Sequence, residues 1–131
     1  LLLTLASGAV YWKYFPREVP NQELRQLTGR AGFGWDATTF NARVKNSSGY
    51  HIHRITLNIE VIDSNAEWPD DGLAEKISAM TNHGYESEDY ACIFDDKVKP
   101  NTVGKCNIDV VMDYEQENKV RWTIKSATGT P

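Results

Sequence analysis

Cations are in deficit, with 14 Lys and Arg against 18 Asp and Glu for a formal charge of −4, and no stretch interleaves them with aromatics. That excludes the electrostatic footprint of a nucleic-acid binder. Cysteine is nearly absent: Cys92 and Cys106 are too few for a zinc cluster and too far apart for a Cys-x-x-Cys redox motif. There is no Gly-x-Ser-x-Gly, and both thiols fall in phase with apolar neighbours, so nucleophilic catalysis has no candidate. None of the acidic clusters, Asp70–Asp71, Glu86 to Asp89 or Asp95–Asp96, follows the calcium-loop pattern, and each reads as a solvated turn. The expectation is a protein that is not an enzyme and carries no cofactor.

A complete membrane-spanning run is also lacking. The first ten residues are apolar or small, whereas a bilayer-crossing helix needs roughly 20. Where the run stops, Tyr11, Trp12, Lys13, Tyr14 and Phe15 have the aromatic-plus-cation composition of a membrane–water interface, and Pro16 ends the helix. Residues 1–16 therefore read as the second half of a transmembrane anchor, with Ala6 and Gly8 small enough to let partner helices approach. The alternatives are a signal-peptide remnant, since Ala6-Ser7-Gly8-Ala9 has cleavage spacing, or a buried N-terminal helix. Lys13 and Arg17 on the exit side weigh against export.

What is present is β alternation. Residues 17–34 are polar and punctuated by Pro20, Gly29, Gly32 and Gly34, and read as a connector in which Asn21 caps a short helix carrying Leu24 and Leu27. From Thr39 to Asp63, Phe40, Ala42 and Val44 alternate with Asn41, Arg43 and Lys45, and Ile55, Leu57, Ile59 and Val61 alternate with Thr56, Asn58 and Glu60. Asn46-Ser47-Ser48-Gly49 between them predicts a hairpin turn, which also explains the glycosylation sequon it contains. After a polar loop, Leu73, Ile77 and Met80 stand at i, i+4 and i+7, predicting a short helix with Asp70 or Asp71 as its cap.

Alternation resumes at Tyr90, Cys92 and Phe94, and again from Cys106 to Tyr114, predicting a second hairpin about Pro100-Asn101. A mirror point near Lys99 sets Cys92 opposite Cys106, at a separation a disulfide can bridge. Free buried thiols and a redox pair are the alternatives. Val120, Trp122 and Ile124 form a last strand before SATGTP, which reads as a frayed or truncated tail. Strands following strands with one helical excursion predict an all-β, antiparallel, immunoglobulin-like β-sandwich over residues 35–128.

Val44-x-Asn46-x-Ser48, the alternating strand closed by Asp63, and Pro100 ahead of the penultimate strand resemble small extracytoplasmic sandwich modules of the FxLYD type. The resemblance covers residues 35–128 and implies a non-catalytic, exported or membrane-tethered module.

Two further features bear on function. His51 and His53 flank Ile52, so on a strand their rings project from one face about 7 Å apart, a spacing suited to zinc or copper, with His83 or Asp89 as candidate third ligands. Trp68 is a large ring in a polar loop that either folds back on its own domain or contacts a partner, and with Leu73 and Ile77 it marks residues 67–84 as the first candidate for a partner-facing element. The leading expectation is a single-pass membrane protein with a periplasmic or otherwise extracytoplasmic sandwich, serving as an accessory, assembly or stabilising subunit among other membrane-protein subunits. The rival readings are an exported copper- or zinc-binding module and a free-standing adhesive or ligand-binding sandwich.

Overall fold

Alternation decides the architecture. In the computed structural model, which describes residues 15–34, 38–112, 115 and 118–131, Phe40, Ala42, Val44, Ile55, Leu57, Ile59 and Val61 are all buried while their alternate neighbours face outward or the sheet rim. The elements run β1 (Arg17–Glu18), α1 (Asn21–Leu24), β2 (Leu27–Phe33), β3 (Thr39–Asn46), β4 (His51–Ile62), α2 (Leu73–Asn82), β5 (Glu86–Val98), β6 (Val103–Asp109) and β7 (Lys119–Thr130). They form two antiparallel sheets, one in the order β1-β7-β4-β5 and the other β2-β3-β6, closed over a shared core. The fold is a two-layer, all-β sandwich with few helices. Ala6, Gly8, Tyr11, Trp12, Lys13, Tyr14 and Trp35 lie outside the described residues, and among the described residues no helix is long and apolar enough to cross a membrane.

Neither expected hairpin forms. β3 pairs with β2 and β6, whereas β4 pairs with β5 and β7, so Asn46 to Tyr50 carries the chain from one sheet to the other. The reason is visible in Asn46, which is fully buried. Its Nδ2 donates to the carbonyls of Tyr50 (2.7 Å) and Val98 (2.8 Å), and its Oδ1 accepts from the Ser48 amide (3.0 Å) and hydroxyl (2.5 Å). Its backbone also bonds to Thr102 O and Asn101 N, in the β5–β6 turn. The side chain that looked like a hairpin residue thus ties together both sheet-to-sheet corners, and its amide nitrogen is sequestered from any glycosylation.

The β5–β6 segment likewise changes sheets. Lys99 to Thr102 makes a tight turn with Pro100 in second place and Asn101 at φ 65°, and Thr102 N donates to Lys99 O at 3.1 Å. Cys92 and Cys106 are disulfide-bonded with their α-carbons 6.0 Å apart. Because β5 and β6 belong to different sheets, the bond crosses the core instead of joining neighbours in one ladder.

The segment expected as a connector, residues 17–34, contributes to both sheets: β1 pairs with the end of β7, and all seven residues of β2 pair with β3. Its short helix runs Asn21–Leu24 with Pro20 at the N-cap, and Leu27 already belongs to β2. Gly29 is a strand residue, where an added β-carbon would run into the Arg43 carbonyl. The SATGTP tail is not frayed through Thr130, since Ser126 to Thr130 pair with β4.

Candidate functional site

A polar loop after β4 leads into α2, and both are held against the outer face of the β4–β7 sheet by a small second core of Ile62, Ala66, Ala79 and Tyr85, with Trp68 packed on it. Helix α2 starts at Gly72 with no side-chain cap, so neither Asp70 nor Asp71 serves that role; the Glu75 side chain folds back over Gly72 instead. It ends before Gly84, whose φ of 64° and contact with the Asp63 carboxylate leave no room for a side chain.

Of the helix, Ala79 alone is buried. Leu73, Ile77 and Met80 are 74%, 52% and 52% exposed, so the apolar stripe points into solvent. Such a stripe gains nothing from the domain that carries it. Trp68, expected beside them as a partner contact, is half-buried and its ring is occupied within the domain: the Arg121 guanidinium lies 4.4 Å over it, with the Lys119 ammonium at 5.9 Å.

Beneath this stack lies a charged cluster that sequence reasoning missed. Glu60 is buried on the outward phase of β4; Arg121 donates to it through Nε (2.7 Å) and Nη2 (2.8 Å), and Tyr85 Oη donates at 2.6 Å. The Arg121 hydrogen bonds hold the Glu60 carboxyl below its usual range, against the opposing effect of burial. Burial first, and then the bond to Glu60, pushes the Tyr85 phenol up. Next to it, Lys125 donates to Asp89 (2.6 Å) and Asn58 donates to Asp89 (2.9 Å) and Ser87 (3.0 Å). Asn58, Glu60, Tyr85, Ser87, Arg121 and Lys125 line a polar hollow of about 370 Å³, and their bonds are made to one another and to Asp89. The arrangement clamps the loop to the sheet, with Asp71, Lys76 and Thr123 on the rest of the hollow's wall. The only hint in the sequence was a glutamate at an outward position among long apolar neighbours.

His51 and His53 are both half-buried at the start of β4, on either side of buried Ile52 and next to a register shift. His53 Nε2 lies 3.5 Å from Thr130 Oγ1, and burial, then Lys97 and His51, push its imidazole below the ordinary range. The expected third ligands do not join the pair. Asp89 pairs with Asn58, five residues along β4 and so about 17 Å away, and His83 bonds through its carbonyl to Asp63, at the far end of the strand. Among the described residues no three His, Cys, Asp or Glu are grouped to hold a metal ion.

Comparison with protein-family models, with curated proteins and with solved structures returned no match for the chain.

Proposed function

We propose that the chain is a non-catalytic accessory, assembly or stabilising subunit of a larger membrane complex, anchored by its N-terminal helix and engaging its partner through α2. One observation carries this reading: the apolar stripe Leu73, Ile77 and Met80 faces outward on a helix that the Trp68–Arg121–Glu60 clamp holds fixed to the domain. A rigid, preformed apolar surface loses little ordering entropy on docking, so its burial translates into affinity. A disulfide through the core supports an oxidising, extracytoplasmic site such as the periplasm. The two antiparallel sheets, with the chain passing from one to the other between β3 and β4 and between β5 and β6, support an immunoglobulin-like topology. Kinship with FxLYD-type modules is part of the proposal; of its signature, Val44 is a core residue of β3, and Asn46 and Ser48 fall on the corner described above.

The test is purification of the tagged full-length protein in gentle detergent, beside an L73E/I77E variant. Stoichiometric partners should co-purify with the parent and be lost from a variant that melts at the same temperature. Partners retained by the variant would rule out α2 as the interface, and a parent that purifies alone would remove the subunit reading.

A further inference from the structure

The outer face of the β2-β3-β6 sheet concentrates cations that are far apart in sequence. Arg30 pairs with Arg43, and Arg43 with Lys105, so three positive side chains stand directly opposite one another across three strands. Lys45 lies on the same face two residues along β3, flanked in register by Thr28 and Val103. All four cations are exposed. They occupy a patch about 10 Å by 7 Å, and Thr28, Arg30, Arg43, Lys45 and Val103 line a shallow depression of about 370 Å³. Among the described residues none of the four has an ion-pair partner.

Like charges set directly opposite in a sheet oppose pairing, so this row weakens the fold that carries it. The placement is not an average property of the surface, because the chain is net negative. Arg17, the first residue of β1, is in register with Gly129, which pairs with Ile52, and Ile52 with Val98; Asn46, next to Lys45, bonds to that same Val98 carbonyl. The basic half of the face is therefore at the end where the chain arrives from residues 1–16. Asp63 and Glu86 lie at the opposite end, where β4 finishes, while Asp95 and Asp96 of β5 stand at the basic end and line a neighbouring hollow with Val103 and Lys105.

We propose that this face rests on the anionic phospholipid surface of the membrane, with Arg30, Arg43, Lys45 and Lys105 contacting headgroup phosphates. The choice of a bilayer over another polyanion rests on the anchored reading above, since the patch sits at the end from which the anchor would emerge. Exposed cations gathered on one sheet face suit an array of phosphates, each cation near an anionic surface strengthening binding by about fivefold. The outward stripe of α2 lies on the other sheet's side, so lipid and protein contacts use different surfaces.

The experiment measures partitioning of the full chain into vesicles of phosphatidylcholine alone and of phosphatidylcholine with phosphatidylglycerol, at roughly 50 and 500 mM salt. Partitioning into the neutral vesicles reports the anchor, and the salt-sensitive increment on adding phosphatidylglycerol reports the face. The R30Q/R43Q/K105Q variant should lose on the order of a hundredfold of that increment, keep its neutral-vesicle partitioning, and unfold at the parent's temperature or above. An increment absent from the parent, or undiminished in the variant, overturns the proposal. So does salt-sensitive binding of double-stranded DNA that exceeds binding to the anionic vesicles, which would make nucleic acid the ligand. A parent that ignores neutral vesicles but still shows the increment loses its anchor and supports the face.

Discussion

Replacing Asn46 by alanine tests the central structural inference, that one side chain holds both corners of the sandwich. The amide uses both donors and both acceptor positions inside the protein, at 2.5 to 3.0 Å, and the residue is wholly buried. Alanine leaves the Tyr50 and Val98 carbonyls without that donor, and an unsatisfied buried group costs about 1–3 kcal/mol. Adding the smaller loss at Ser48, the expected destabilisation is about 3–5 kcal/mol, a fall of roughly 10–20 °C in the melting temperature of a domain this size. Asn46→Asp is the sharper variant. An ionised aspartate turns an acceptor toward two carbonyls that need donors, so at neutral pH it should be at least as damaging as alanine. Lowering the pH should narrow the gap, because the protonated acid regains one donor. The assay is urea and thermal unfolding of the full chain, reading m-value and midpoint together. A loss below about 1 kcal/mol for alanine, with m unchanged, would refute the reasoning, since it would mean that water or a backbone shift satisfies those carbonyls as well as Asn46 does.

Other predictions follow from the same contacts. A C92A/C106A double variant should lose about 3 kcal/mol, the chain-entropy expectation for a bond spanning 14 residues, measured by denaturant unfolding beside the oxidised parent. Glu60 contributes stability that is complete above the unfolded carboxyl range and drains as pH falls through its lowered folded value, because its carboxylate is held by Arg121. A Glu60→Gln variant should therefore be less stable at pH 7 and show a flatter acid limb between about pH 5 and 2; a parallel pair of curves would reject the linkage. Removing the Trp68 ring, as Trp68→Ala, should raise amide exchange through residues 63–84 while leaving β3 and β6 protected, because the ring packs on the second core and beneath Arg121, away from the core the two sheets share.

The strands themselves could be read because period-two burial is a local property: Phe40, Val44, Ile55 and Leu57 announce their inward phase whatever they pair with. Partnership is not local. Asn46-Ser47-Ser48-Gly49 suits a hairpin reversal and a sheet-to-sheet corner equally, and only the depth of Asn46 in the core separates the two. Similarly, Cys92 and Cys106 could be matched by counting from the turn, but whether their bond runs along one sheet or between two depends on contacts that the spacing does not encode. Gly29 and Gly32 read as breaks between elements yet are strand residues; at Gly29 two backbones come close, and such a glycine looks, in sequence, like glycine in a turn. The helix stripe was legible as a stripe, whereas its direction was set by Ala79 and Tyr85 on the other side. The basic face was the least visible, because Arg30, Arg43 and Lys105 become neighbours only through strand register.

That register makes a last prediction about how the two proposed surfaces combine. The α2 stripe and the Arg30–Arg43–Lys105 row sit on opposite sheets, and between them lie both layers of the core. Substitutions this far apart with no shared partner should act independently to within about 0.5 kcal/mol. In vesicles containing phosphatidylglycerol, the I77E variant should leave lipid partitioning unchanged, and R43E/K105E should leave partner capture in neutral detergent unchanged. Combining the two sets should reproduce the sum of their separate effects. If reversing the basic face also released the partner in detergent, where no anionic surface exists, that face would itself be part of the protein interface. The independence of the two surfaces, and with it the assignment of lipid to one and protein to the other, would then be wrong.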